Sequence, residues 1–189
     1  MVRDIHADYF AAGATIATTN TYAIHHDRLS RFGLDPMFHA LHLRALSEAH
    51  EARAAHGSGR IAGSLGPLTA SYRPEVTEPV AQAAPKYAEI ARILGPHVDL
   101  ILIETIFDTL NAKAAIVAIE DVFEAVGRRV PLIISVTFAD KTGRNLSGQT
   151  LGAFWSSVAH AKPLCVGLNC GLGAEEVVRR HGDWPRPSG

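Results

Sequence analysis

The chain has 189 residues, 47% of them hydrophobic and 20% charged, with a formal net charge of −1. That length supports one domain with a real core, and the composition is ordinary for a globular protein. The near-zero charge leaves no electrostatic footprint for nucleic acid or an anionic membrane, and no apolar run approaches the ~18 residues of a transmembrane helix.

An amphipathic pattern over about Val2–Ala12, stopped by Gly13, predicts a first helix. Its start, Met1-Val2-Arg3-Asp4-Ile5-His6, has no signal-peptide core, so a cytoplasmic location is expected. Ala14–Thr19 reads as a strand. Met37–Ala55 reads as a helix with Phe38, Leu41, Ala45 and Ala49 on one face, closed by Gly57 and Gly59. Arg60–Ser64 is a short strand. Val76–Leu94 has helical composition, with Pro79 and Pro85 against its first half.

Asp99–Glu104 is an almost wholly apolar strand that ends in a carboxylate. Leu110–Val126 follows as a helix, with Leu110, Ala114 and Val117 sharing a face, Val122 and Phe123 along its edge, and Gly127 just past its end. Pro131–Thr137 is a strand, Thr150–Ala161 a helix, Leu164–Leu168 a strand, and Ala174–Arg180 begins a last helix. Residues 181–189 have no periodicity and two prolines, and are expected to be disordered.

Apolar strands alternating with helices argue for an α/β fold with a parallel sheet covered by helices. No Gly-x-Gly-x-x-Gly and no Gly-Lys-Ser/Thr loop follows a strand, which favours a barrel over a nucleotide-binding open sheet. In such barrels the chemistry gathers at the C-terminal ends of the strands. Those ends carry Asn20 and Thr21, Ser64, Glu104 with Thr105, Thr137, and Asn169 with Cys170. A carboxylate, carboxamides, hydroxyls and a thiol on one rim suit a small zwitterionic ligand. Singly, Asn20 and Thr21 could form a turn and helix cap, Glu104 could cap a helix or pair with a base, and Ser64–Pro67 could be a plain turn.

The two cysteines, Cys165 and Cys170, are too few for a disulfide framework. Five residues apart on one strand, their Cα atoms are roughly 16 Å apart, beyond reach of a disulfide or one metal ion. Cys165 is expected to be a buried structural residue. Among ten histidines, His25 and His26 follow the Asn20 loop, and the i,i+3 pair His39 and His42 on one helix could bind a metal but is expected on a solvated face. Tyr72 and Arg73 are expected in a surface loop.

Five ordered segments resemble the homocysteine S-methyltransferases. Asp99–Ala115 (DLILIETIFDTLNAKAA), Leu146–Leu164, Val166–Glu176 (VGLNCGLGAEE), Ile5–Tyr22 and Gly63–Pro67 (GSLGP) together span roughly residues 2–180. The resemblance implies part of a (β/α)8 TIM barrel, about strands 2 to 6 with their helices, as an incomplete homocysteine-binding domain over residues 1–180. It also implies zinc-dependent methyl transfer to the thiol of homocysteine, giving methionine. In that family three cysteines hold zinc and the homocysteine sulfur takes the open fourth position, which fits a catalytic zinc site. Coordination would hold each sulfur as a thiolate.

By position, Cys170 is implied as one zinc ligand and Glu104 as the carboxylate for the homocysteine amino group. Asn20, Thr21, Ser64, Thr137 and Asn169 are implied as pocket lining. The ETIFDTLNAKAA segment looks closest to cobalamin-dependent methionine synthases, so cobalamin or folate would act through other domains or subunits. The family's first-strand Asp-Gly motif and its Gly-Gly-Cys-Cys motif are not found. The expectation is a chain truncated at both ends that is inactive, unstable or in need of a partner when isolated. The rival readings are a non-catalytic remnant that keeps part of the rim, and another barrel enzyme using Glu104 as acid or base.

Overall fold

A computed structural model describes residues 1–68, 78–138, 142–171, 173 and 175. Helix α1 (Val2–Ala11) lies against α3 (Phe38–His56), and strand β1 (Ile16–Thr18) separates them in sequence. The β1–α3 connection holds the short α2 (His26–Leu29) and two single 3₁₀ turns. Then follow β2 (Arg60–Leu65), α4 (Val80–Leu94), β3 (Leu100–Ile106), α5 (Thr109–Val126), β4 (Leu132–Val136), α6 (Leu151–Val158) and β5 (Cys165–Leu168). The predicted alternation is therefore present. Of the expected Ala174–Arg180 helix only Glu175 is described, and it is helical, while the Tyr72–Arg73 loop and the 181–189 tail lie outside the described residues.

Local chemistry sets the ends of these elements. Pro79 stands at the N-cap of α4, where a missing N–H costs nothing. Pro85 sits inside the same helix, which therefore lacks one ladder bond at that point. Asp108 accepts from the Leu110 N–H at the start of α5, and Thr150 accepts from the Ala153 N–H at the start of α6. Gly127 ends α5 in the left-handed region, with φ of 70°.

The five strands form one parallel sheet in the order β1-β2-β3-β4-β5. Register divides its residues between two faces. Ala17, Ile61, Gly63, Ile101, Ile103, Ile134 and Val136 face the helices and build the core with Leu46, Ala49, Leu94, Ala115, Ile119 and Phe154. Thr18, Ser64, Glu104, Ser135 and Cys165 take the opposite, inner face. Gly63 lets the end of α4 sit close, since a Cβ there would lie 3.4 Å from Leu94.

Three sequence expectations change here. Cys165 is exposed, not buried, because register puts it on the inner face, which no helix covers among the described residues. Leu110 and Val117 are also exposed, although Ala114 on the same predicted face is buried. The buried stripe of α5 runs through Ala112, Ala115, Ile116, Ile119, Val122 and Phe123 instead. An all-round apolar helix gives the periodicity no contrast from which to choose a face. His42 is 0% exposed, so the solvated-face expectation fails for it, while its pair-mate His39 is exposed; His25 in the β1–α3 connection is buried as well. On α3, His42 completes the buried stripe of Phe38, Ala45, Leu46, Ala49 and Ala52.

Tyr87 of α4 is fully buried; its hydroxyl donates its one proton to Asn111 Oδ1 on α5 and lies 3.3 Å from the Gly66 carbonyl. This links two helices to the end of β2. Tyr87→Phe strips the donor from a buried carboxamide and is expected to cost about 1–3 kcal/mol, read as a lower urea midpoint. An unchanged midpoint would show that Asn111 finds another donor.

Candidate functional site

The ends of β1 and β2 are locked by a closed ring of hydrogen bonds. Ser64 N–H donates to Thr19 Oγ1 at 3.1 Å, and Thr21 Oγ1 donates to the Ser64 carbonyl at 2.7 Å. Thr21 has spent its proton there, so Thr19 Oγ1 is the donor in the 2.8 Å contact between the two hydroxyls. Thr21 is buried, and its hydroxyl is bonded to both Thr19 and Ser64. Asn20 projects into solvent between them.

Ser64 then turns its own hydroxyl toward β3, where Oγ donates to Glu104 Oε1 at 2.6 Å. Glu104 is half-buried, and among the described residues no donor reaches its second oxygen. It neither caps α5, which Asp108 caps, nor pairs with a base among the described residues. A carboxylate held on one oxygen and open on the other can accept an ammonium group.

Directly after Glu104 the backbone breaks its pattern. Thr105 has φ of 59°, and the β3–β4 register shifts between Ile103 and Ile106. Left-handed backbone is a genuine outlier for a β-branched residue, and such irregularities re-aim side chains beside functional sites. Asn169 lies across this kink. Its Oδ1 accepts from Thr105 N–H at 3.2 Å and from Ser135 Oγ at 2.7 Å. Its Nδ2 donates to Thr105 Oγ1 at 2.8 Å and approaches Cys170 Sγ at 3.5 Å. Thr137 Oγ1 donates to the Asn169 carbonyl at 2.9 Å. Asn169 and Thr137 are thus bound into the strand ends.

Cys170 ends the rim. It is exposed, has φ of 57°, and its Sγ lies 3.8 Å from Thr105 Oγ1. The sulfur therefore rests against the residue that follows Glu104, and the sequence-predicted thiol and carboxylate do share one end of the sheet. Thr105 and Ser135 are the participants that sequence reading passed over as site residues. The only signal for Thr105 was its place directly after the carboxylate.

The implied zinc needs a donor set. Among the described residues, no group of three His, Cys, Asp or Glu side chains could hold a metal ion. Cys165 is the only other cysteine of the chain, and it lies at the start of β5, away from the rim. The described residues do not fit a three-thiolate site.

A model of the homocysteine S-methyltransferase family matches residues 1–181. The chain belongs to that family. Among solved structures it is similar to the homocysteine methyltransferase MmuM from Escherichia coli. The oxidized form matches with a TM-score of 0.77 at 24% identity, over 95% of this chain and 64% of that one. The apo form matches with a TM-score of 0.68 at 23% identity, over the same shares. A putative phosphonomutase from Burkholderia cenocepacia follows with a TM-score of 0.56 at 17% identity, over 94% of this chain and 68% of that one. At these identities the likeness concerns the fold, and the five-stranded parallel sheet with its helices matches part of a TIM barrel. The chain spans just under two thirds of the length of either MmuM structure.

Proposed function

We propose that this member of the homocysteine S-methyltransferase family carries the homocysteine-facing part of an enzyme that methylates the homocysteine thiol to methionine. The observation that carries this reading is the Glu104 carboxylate, clamped by Ser64 on one oxygen and open on the other, on the same rim as Cys170. The open oxygen receives the substrate ammonium. Asn20 is the exposed rim carboxamide left to meet the substrate carboxylate, while Thr21, Ser64, Thr137 and Asn169 hold the lining in place. In the reaction the substrate sulfur loses its proton and attacks the methyl carbon. The new S–CH₃ bond forms as the bond from methyl to donor breaks, and the donor leaves with that electron pair.

Cys170 is proposed as one thiolate for the zinc of this family, and the described residues supply no second and third. The methyl donor, with cobalamin or folate as its carrier, belongs to other domains or subunits. A place in methionine biosynthesis in the cytoplasm accords with this reading, and no described helix is long and apolar enough to cross a membrane.

The short donor set favours a second reading, a non-catalytic remnant that binds homocysteine without turning it over. Calorimetry with homocysteine tests the first step. The chain is expected to bind it, and Glu104→Gln is expected to weaken binding tenfold to a hundredfold, the worth of about 1.5–3 kcal/mol for a bond to a charged group. Equal affinity in the variant removes Glu104 from the site. Methionine formation by the purified 189-residue chain, with one zinc per chain, would remove the remnant reading.

A further inference from the structure

We infer that Asn169 is a positioning residue that joins the Glu104 carboxylate and the Cys170 thiol into one site by clamping Thr105 in its left-handed conformation. This inference rests on the proposal that Glu104 and Cys170 face homocysteine. It assigns Asn169 a different task from the ligand contact expected of it.

A carboxamide has two acceptor positions and two donors, and all four are used in Asn169. Ser135 Oγ and Thr105 N–H fill Oδ1, while Thr105 Oγ1 and Cys170 Sγ take the two N–H groups. The Thr105 N–H can only donate, which fixes the orientation of the amide. The main chain of Asn169 is committed as well, with its N–H on the Val136 carbonyl at 3.2 Å and its carbonyl receiving Thr137 Oγ1. Nothing is left for a substrate.

The partners are what give the residue its meaning. From just past the end of β5, Asn169 bonds to two other strands, β3 and β4, and its strongest hold is on Thr105, gripped through both the backbone N–H and the side-chain hydroxyl. A β-branched residue at φ of 59° persists only where its surroundings over-determine it. Released, Thr105 would relax toward extended backbone, and the preceding Glu104 would turn with it. Cys170, also at positive φ, is held on the other side of the same amide. One side chain thus sets the relative placement of a carboxylate on β3 and a thiol beyond β5.

The test uses the full chain with four variants: Asn169→Ala, Asn169→Asp, Asn169→Ala with Thr105→Gly, and Glu104→Gln. Homocysteine affinity is read by calorimetry, and amide hydrogen exchange at Thr105 by NMR without ligand. Asn169→Ala is expected to weaken homocysteine binding at least tenfold and to speed exchange of the Thr105 amide at least tenfold, while the Leu102 amide keeps its wild-type rate. Glycine adopts positive φ without steric cost, so adding Thr105→Gly is expected to restore affinity to within fivefold of wild type. A merely structural Asn169 would show no such rescue. Asn169→Asp keeps both acceptor bonds and loses both donors. It serves if the alanine variant does not fold, with binding at least threefold weaker expected.

Binding within twofold of wild type in Asn169→Ala, alongside a tenfold loss in Glu104→Gln, overturns the inference and leaves the homocysteine reading standing. If wild type does not bind, the homocysteine reading falls, and if Glu104→Gln binds as wild type does, Glu104 leaves the site. The exchange rate of the Thr105 amide then decides the clamp alone, and an unchanged rate overturns it.

Discussion

Lowering the pH from 7 to 5 is expected to destabilise this chain by about 2 kcal/mol through His25 alone. Burial pushes its pKa from 6.5 down to about 4, because the ring sits within the β1–α3 connection with an unpartnered Nδ1. Above pH 6.5 the ring is neutral in both folded and unfolded chains. As the pH falls through 6.5 the unfolded chain takes up a proton that the folded chain refuses until about pH 4, so stability is lost across that window. Burial lowers His6 and His42 in the same direction. His42 Nδ1 donates to the Phe38 carbonyl at 2.9 Å, which leaves Nε2 buried without a partner. His26 works the other way. Burial opposes its charge, but bonds to Asp35 at 2.6 Å and Glu89 at 3.0 Å outweigh that and raise its pKa. Its contribution is complete below pH 6.5 and fades as the pH rises through the raised value. His26 is more exposed than the three buried rings, so solvent screens it and the acid-labile direction wins. Urea midpoints at pH 7 and pH 5 measure the difference, and His25→Leu is expected to remove about 2 kcal/mol of it. A midpoint that does not move with pH would mean that the buried rings are not held neutral.

Much of the architecture was legible because the strands are nearly continuous apolar runs punctuated by glycine and capping residues. Leu100–Ile106 and Leu132–Val136 could hardly be anything else, and Gly57 and Gly127 marked the helix ends that the structure shows. What failed did so for one physical reason, that burial depends on what lies opposite. Cys165 is apolar enough for a core, yet it faces the inner side of the sheet, where the described residues supply no cover. Leu110 and Val117 sit on a helix whose apolar residues exceed the buried face. His42 is a polar residue in a buried stripe, which composition alone reads as surface.

The candidate site was legible as a set of strand ends and illegible as a network. Position along a strand says that Ser64, Glu104 and Asn169 converge. It does not say that Ser64 serves Glu104, or that Asn169 spends every bond on its neighbours. The kink at Thr105 has no signature of its own, since threonine is a poor choice for left-handed backbone and nothing local predicts it. It exists because a residue 64 positions later completes it.

Gly171→Ala is expected to be the most damaging single-methyl change at the rim, at about 2–4 kcal/mol. The residue has φ of 75°, where an L side chain is strained whatever the space around it. Space is also lacking. A Cβ there would be driven into the Phe138 carbonyl oxygen and would lie 3.4 Å from Thr137 Cγ2. The obstacle is backbone, which cannot swing aside as a flexible side chain can. The two costs act at the same turn, so relief of one by chain movement disturbs the other. That turn follows Cys170, itself at φ of 57°, and movement there carries the thiol away from Thr105 and loosens the Asn169 clamp. The loss should therefore appear twice, as a lower urea midpoint and as weaker homocysteine binding measured well below that midpoint. Gly127→Ala is the matched control. It has φ of 70° and no atom within 4 Å of where a Cβ would sit, so it bears the conformational cost without the collision and leaves the rim untouched. Should the two variants lose equal stability, close packing against Phe138 is not what holds the turn. Should Gly171→Ala lose stability while homocysteine binds as before, the turn is not coupled to the site.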